Sequence, residues 1–309
     1  MYKHISCALL SLSCLISISS IKGVFIREQK TPLILALEKN EFEKAEQFLD
    51  DGSNPNAIFE RSPLIVYFAQ KGNAAAISIL LSHGANIDAV APCGHSAINH
   101  AAGYGHIEAL QELLQANPSY KTDYRQGNGP HHAAANKSFT SQPSIIKILN
   151  DYFAPKGIDI DVRCSSQMTP LMYAASLGRL RVVETCLDLG ASQLCQDGGG
   201  RTALMHCLTG MEEQRMHRKI TSGQELEYYK QFQGILTLLN RNPDTRSTLC
   251  NGVGQSARDI AIKTKQARNW DAALSAAGIS PFSRDRVAPA YNTVVHMPTI
   301  APYIPAAFR

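Results

Sequence analysis

Charge is scarce in this chain. Asp, Glu, Lys and Arg together make up 18% of 309 residues, against roughly 25% in an average soluble protein. The 30 basic and 26 acidic side chains leave a net charge of only +4, too small a surplus to point to nucleic acid or an anionic membrane surface. Eight cysteines fall well short of a disulfide-built scaffold. None of them stands in a C-x-x-C pair, and the ten histidines include no H-E-x-x-H, so the usual metal spacings are missing. Gly198-Gly199-Gly200-Arg201-Thr202 lacks the lysine that a phosphate-cradling loop requires. No serine sits in a nucleophile elbow. Catalytic residues, metal ligands and cofactors are therefore expected to be none. What the chain does have is 44% hydrophobic residues, enough to exclude wholesale disorder.

Both termini differ from the middle. Lys3 precedes a Ser-rich apolar run from Ile5 to Ile21 that carries no charge before Lys22. A short basic segment followed by an apolar stretch of this size reads as an export signal over residues 1–19, with Ser17 and Ser19 before a cleavage point. An uncleaved membrane anchor or a buried first helix would be written in similar residues. Exported, periplasmic or secreted, is the expected location, with membrane attachment only if the segment is retained. At the other end, residues 280–309 contain Pro281, Pro289, Pro298, Pro302 and Pro305 and lose all periodicity, the composition of an extended tail.

Between them, residues 20–279 repeat. Thr31-Pro32-Leu33, Ser62-Pro63-Leu64, Ser96-Ala97-Ile98, Gly129-Pro130-His131, Thr169-Pro170-Leu171, Thr202-Ala203-Leu204 and Ser256-Ala257-Arg258 share one pattern. A hydroxyl residue at the N-cap accepts from the orphan amides of the first turn, and proline at the next position has no amide to leave unpaired. Seven helix starts follow, spaced 31, 34, 33, 40, 33 and 54 residues apart. Seven stops run in phase with them, at Gly52, Gly84, Asn117, Gly157, Gly190, Asn242 and Gly278. Only residues that tolerate a left-handed backbone occupy these stops. Ile107, Leu110, Leu113 and Leu114 mark the apolar face of one second helix, and Val182, Val183, Cys186 and Leu187 that of another.

A 33-residue period with this start signature resembles the ankyrin repeat, most closely at Ser96–His106 and Thr169–Arg179. The resemblance implies an all-α solenoid of about seven stacked helix pairs joined by hairpin-like loops, with local contacts and no second core. Charged side chains of the first unit (Glu38, Lys39, Glu41, Glu43, Lys44, Glu46) and the last (Lys263, Lys265, Arg268, Asp271) then face water as caps, and Trp270 seals the end. Two units exceed the period. In the fourth, the excess falls at 137–143 and 151–156. In the sixth, it falls between Leu208 and Asn240, read as a helical extension from Met211 to Ile220, a turn at 221–223 and a long second helix.

The resemblance also implies a non-catalytic adaptor. Such proteins bind other proteins through hairpin tips and the ends of first helices, which places Arg61, His95, Tyr104, Arg125, Lys137, Met168, Leu177 and Arg201 at the contact surface. A protein partner is expected, and no nucleic acid. Histidines 100, 106, 131 and 206 occupy structural positions of the repeat, while His131 and the adjacent His132 point apart. Cys186 and Cys207 hold core positions. Cys93, Cys164, Cys195 and Cys250 fall near hairpin tips, where a thiol-redox or metal-binding role is the alternative. Cys164 and Cys195, on neighbouring units, are the pair that could form a disulfide.

Overall fold

The computed structural model describes residues 30–119, 131, 143–217, 222–242, 249–264 and 267–276. The segments expected as leader and tail, together with Arg125 and Lys137, lie outside them. The chain divides into two compact units, Met1–Arg125 and Gln126–Arg309. No helix among the described residues is long and apolar enough to cross a membrane.

The first unit is built of helix pairs: α1 (Pro32–Glu38) with α2 (Phe42–Asp50), α3 (Leu64–Lys71) with α4 (Ala74–Ser82), and α5 (Ala97–Tyr104) with α6 (Ile107–Gln115). Thr31 caps α1, its Oγ1 accepting from Ile34 N at 3.4 Å, and Pro32 takes the first helical position. First helices pack on first helices, α3 against α5, and second helices on second helices, α2 against α4 and α4 against α6. This alternation buries the faces that each pair alone would leave wet. Leu33, Ile34, Leu64, Phe68, Ile77, Leu80, Leu110 and Leu113 form the core. Ala101 and Ala102 are fully enclosed and keep α5 thin enough for close stacking. Lys39, Glu43, Lys44 and Glu46 are exposed, as a cap requires, whereas Glu38 and Glu41 are half-buried. Tyr67 donates to Glu38 at 2.7 Å, and Lys30 bonds the same carboxylate.

One helix start differs from expectation. Ser62 and Pro63 form strand β2, which pairs antiparallel with β1 (Ile58–Phe59), Phe59 opposite Ser62. The N-cap passes to Pro63 and α3 begins at Leu64. Only Glu60 and Arg61 remain for the turn, and both adopt a left-handed backbone, φ 48° and 64°. Two-residue hairpins of this hand favour Asn-Gly. A left-handed non-glycine residue costs about 1–2 kcal/mol. Replacing the pair by Asn-Gly is therefore expected to raise stability by about 1 kcal/mol, seen as a higher urea midpoint with an unchanged slope. An unchanged midpoint would show that the turn carries no strain.

The second unit continues the design with α7 (Pro143–Phe153) and a short 3-10 turn (Ala154–Lys156), then α8 (Pro170–Ser176) with α9 (Leu180–Asp188), α10 (Ala203–His217) with α11 (Ser222–Leu239), and α12 (Ala257–Lys263) with α13 (Ala267–Ala276). The first helices α8, α10 and α12 stack in order, as do the second helices α7, α9, α11 and α13. Helix α7 takes in part of the excess expected after it, ending at Phe153, whose ring is buried. Helices take up much of the sixth unit's excess: α10 has 15 residues and α11 has 18. Helix α11 already begins at Ser222, so Ser222 and Gly223, expected in a turn, are its first two residues, while residues 218–221 lie outside the described ones. Trp270 is buried on α13. Five of the seven stop residues, Gly52, Gly84, Asn117, Gly157 and Gly190, have positive φ. Helix α11 ends three residues before Asn242, and Gly278 lies outside the described residues.

Gly210, in the middle of α10, is a residue of close approach. A Cβ there would lie 2.0 Å from the Ser176 carbonyl oxygen, at the end of α8. The contact is with backbone, which cannot rotate away.

Candidate functional site

The hairpin loops of the second unit are bonded to one another. Arg163 Nη1 donates to Gln196 O at 2.7 Å and Gly198 N to Ser166 O at 3.0 Å. One repeat further on, Gly252 N donates to Gly199 O at 2.7 Å and Gln196 Nε2 to Cys250 O at 3.0 Å. Three successive tips are thus held in register by main-chain and side-chain bonds 32–54 residues apart in sequence. A second kind of loop-to-loop bond occurs within each unit. Asn86 N donates to Asn56 Oδ1 at 2.7 Å and Ser119 N to Asp88 Oδ1 at 2.9 Å in the first unit, and Ser192 N to Asp161 in the second. Loops tied in this way present their outer side chains with little conformational entropy left to lose on binding.

Each tip is built locally. At Asp197 the carboxylate closes the turn: Oδ1 accepts from Gly199 N at 2.9 Å and Arg201 N at 2.8 Å. Oδ2 accepts from Arg201 Nε at 3.0 Å and His206 Nε2 at 2.9 Å. Because a carboxylate only accepts, His206 must carry its proton on Nε2. Burial raises the affinity of Asp197 for a proton, but the Arg201 amide and then His206 outweigh it, so its pKa lies below the ordinary value. Burial and then the Arg201 charge depress the pKa of His206, against the pull of Asp197. The pair is therefore a neutral imidazole on a carboxylate. The glycine-rich stretch is a hairpin turn, with Gly200 at φ 72°. Gly94 and Gly254 share that conformation in their own turns, and Gln167 adopts it at φ 60° without glycine's freedom.

The expected contact residues divide by exposure. Arg61 stands exposed at its turn. Tyr104, at the end of α5, is 42% exposed and stacks on His100 and His106, ring centroids 6.0 and 6.2 Å away. His95, Met168 and Leu177 are half-buried. Arg201 is drawn onto Asp197 by two nitrogens yet keeps 43% of its side chain exposed. Gln196, which bridges two neighbouring tips, was not evident from the sequence pattern.

Among the cysteines, Cys186 and Cys207 are buried as expected, the former thiol pushed up to about 12 by burial. Cys164 differs from the tip exposure expected of it: it is buried, its Sγ 3.8 Å from Tyr173 Oη. Cys195 is half-buried, and both Cys164 and Cys195 carry free thiols. Although the sequence spacing marks no metal ligand, Cys93, His95 and His100 converge, their ligand atoms all within 4.8 Å of one another.

Stacked helix pairs joined by bonded hairpin loops define a helical repeat protein. A model of ankyrin repeats in three copies matches residues 33–125 and 131–214, more than half of the chain. The chain belongs to the ankyrin-repeat family. It is 29% identical over 164 residues to the human transient receptor potential cation channel subfamily A member 1, covering 52% of this chain and 15% of that protein. It is 28% identical over 156 residues to a probable E3 ubiquitin-protein ligase XBOS32 of Oryza sativa subsp. japonica, covering 43% of this chain and 32% of the ligase. The chain thus spans less than a third of either relative. Among solved structures it resembles the human ASB11 ankyrin repeat domain, with TM-score 0.57, 18% identity and coverage of 80% of this chain and 98% of that one. It also resembles the Bcl-3 ankyrin repeat domain, with TM-score 0.60, 18% identity and coverage of 79% and 97%.

Proposed function

We propose that this protein is a non-catalytic adaptor that binds a protein partner through its hairpin tips and the adjoining ends of its first helices. The single observation that carries the reading is the bonding of successive tips, Arg163 to Gln196 and Gln196 to Cys250. It sets the loop side chains of the second unit, Arg201 among them, in a fixed row where ordinary surface loops would be loose. Ankyrin repeats generally act by protein–protein interaction, and the conformity of this chain to that repeat supports the same use here. Arg61 and Tyr104 are the leading contacts because both are exposed and belong to the residue types enriched at binding hot spots. The apolar run from Ile5 to Ile21 favours export as the setting.

The test is affinity capture of partners from the source cells on purified protein, followed by titration of the captured protein. Changing Arg61 and Tyr104 together to Ala is expected to weaken binding about 30-fold, the effect of one strong hot spot. Changing Glu108 and Arg181, exposed on second helices, is expected to leave it within twofold. Equal affinity in the tip variant would refute the assignment of the surface.

A further inference from the structure

We propose that Cys93, His95 and His100 form a Zn2+ site on the hairpin that leads into α5, with a fourth coordination position left for water or for a donor atom from a bound protein. The proposal adds metal chemistry to a tip that also carries His95, one of the expected contact residues, and it holds whether or not that surface meets a partner.

The geometry comes from the turn. Ala91 N donates to His95 O at 2.9 Å and Gly94 N to Ala91 O at 2.8 Å, while Gly94 takes φ 88°. This tight reversal sets Cys93 and His95 on either side of Gly94 and folds both back over α5. His100 lies one turn into that helix, its amide bonded to Ser96 O at 3.1 Å. Ring centroids of His95 and His100 are 5.3 Å apart at 86°. The two imidazoles therefore meet edge to face, and do not stack in a way that would hide their nitrogens from a common point.

The three ligand atoms lie within 4.8 Å of one another. Tetrahedral zinc, with Zn–S about 2.3 Å and Zn–N about 2.05 Å, places such atoms about 3.4–3.6 Å apart. The difference is roughly one ångström, within reach of side-chain rotation at Cys93 and His95, both only half-buried on the tip. His100 is buried and fixed by its helix, so it supplies the rigid ligand while the other two adjust. One thiolate and two imidazoles form a borderline-soft set suited to Zn2+, and the lack of oxygen donors disfavours Ca2+ or Mg2+. On binding, the Cys93 thiol releases its proton to solvent and both histidines bind as neutral imidazoles. No electron is transferred. The spacing, Cys-x-His followed by His five residues on, matches no familiar motif because the ligands come from a turn and the helix that follows it.

The experiment uses the full chain, reduced and freed of metal, titrated with Co2+ and then Zn2+. One equivalent of Co2+ is expected to give a thiolate-to-cobalt charge-transfer band together with tetrahedral d–d absorption, and Zn2+ is expected to displace it. Cys93→Ser should abolish the charge-transfer band, and His95→Asn should weaken Co2+ binding by at least about 100-fold, since losing a direct ligand costs no less than losing an outer-shell partner. Cys195→Ser and Cys250→Ser should change neither. The variants lie on the tip, and circular dichroism with a urea midpoint equal to wild type confirms that each remains folded without metal. No thiolate band in the wild type would overturn the proposal, as would a band that survives Cys93→Ser.

Discussion

Gly210→Ala is expected to destabilise the protein by about 3 kcal/mol, although alanine is the better helix former by about 1 kcal/mol. Helices α8 and α10 pack directly on each other, and the new methyl would sit 2.0 Å from the Ser176 carbonyl oxygen, 2.7 Å from its carbon and 2.8 Å from its Cα. All three atoms belong to backbone at the end of a helix. The only response is for α8 and α10 to part, which loosens the buried layer around Ala175, Met205 and Cys207. Overpacking of this kind costs about 1–3 kcal/mol, occasionally more, and the rigidity of the opposing atoms places this site at the upper end. The melting temperature should fall by roughly 6–12 °C. Gly84→Ala supplies the control. There a Cβ would meet nothing within 4 Å, and only its left-handed φ of 83° resists the change, a cost of about 1–2 kcal/mol. A Gly210→Ala variant as stable as wild type would show that the two helices are not in such close contact.

Asp197→Ala should be comparably damaging, by about 3 kcal/mol. The side chain is 2% exposed and accepts from two loop amides, from Arg201 and from His206. Its loss leaves a buried imidazole N–H and the turn amides without acceptors, and removing one partner of a buried pair costs about 3–5 kcal/mol. Part of that is recovered because Arg201 can turn to water. A pH dependence accompanies the pair. With its folded pKa below the ordinary 6.5, His206 resists protonation in the native state while the unfolded chain accepts it. The unfolded state then binds more protons, so stability from this group is complete above about pH 6.5 and is lost as pH falls below it. Asp197, also depressed, adds a second loss below its ordinary 3.8. Burial is the main cause at His206, with Arg201 opposing its charge and with Asp197 and the more distant Glu213 favouring it. Urea midpoints measured at pH 7 and pH 5 should drop for wild type and drop less for His206→Gln, which keeps a donor for Asp197 but cannot titrate. Equal drops in the two proteins would place the titrating group elsewhere.

Much of the fold was legible because the repeat writes its boundaries in residues with one physical use. Thr31 before Pro32 and Thr169 before Pro170 cap helices as their chemistry requires. Asn117 and Gly190 end them in the left-handed region. That the sixth unit's excess is largely helical is legible from its composition, although α11 already holds Ser222 and Gly223, which read as a turn. The remainder depended on neighbours that sequence does not display. Ser62 carries the same signature as the other starts, but the two-residue turn before it draws it into a strand. Repeat phase marks a turn near Cys164 and Met168, but Gln167 occupies the left-handed position that glycine holds in three other turns, so no residue type announces that backbone there. Repeat phase puts Cys164 near a hairpin tip, yet the loop folds its thiol against Tyr173. Gly210 looks like a weak point in a helix until Ser176, 34 residues earlier, is brought against it. At the surface, exposure at Arg61 and Tyr104 followed from repeat phase alone. The bridging of tips by Gln196 and the meeting of Cys93 with His95 and His100 required the turns to be built.

The central claim, that the hairpin row and first-helix ends meet a protein partner, is tested most directly by photo-crosslinking in the source cells. A photoreactive amino acid placed at Arg61 or Tyr104 in the first unit, or at Ser166 in the second, each exposed at a hairpin tip or first-helix end, should yield a discrete covalent adduct with another protein. The same residue at Glu46, Glu108 or Arg181, exposed on second helices, should yield none. Adducts confined to the second-helix positions, or none at any tip, would contradict the account.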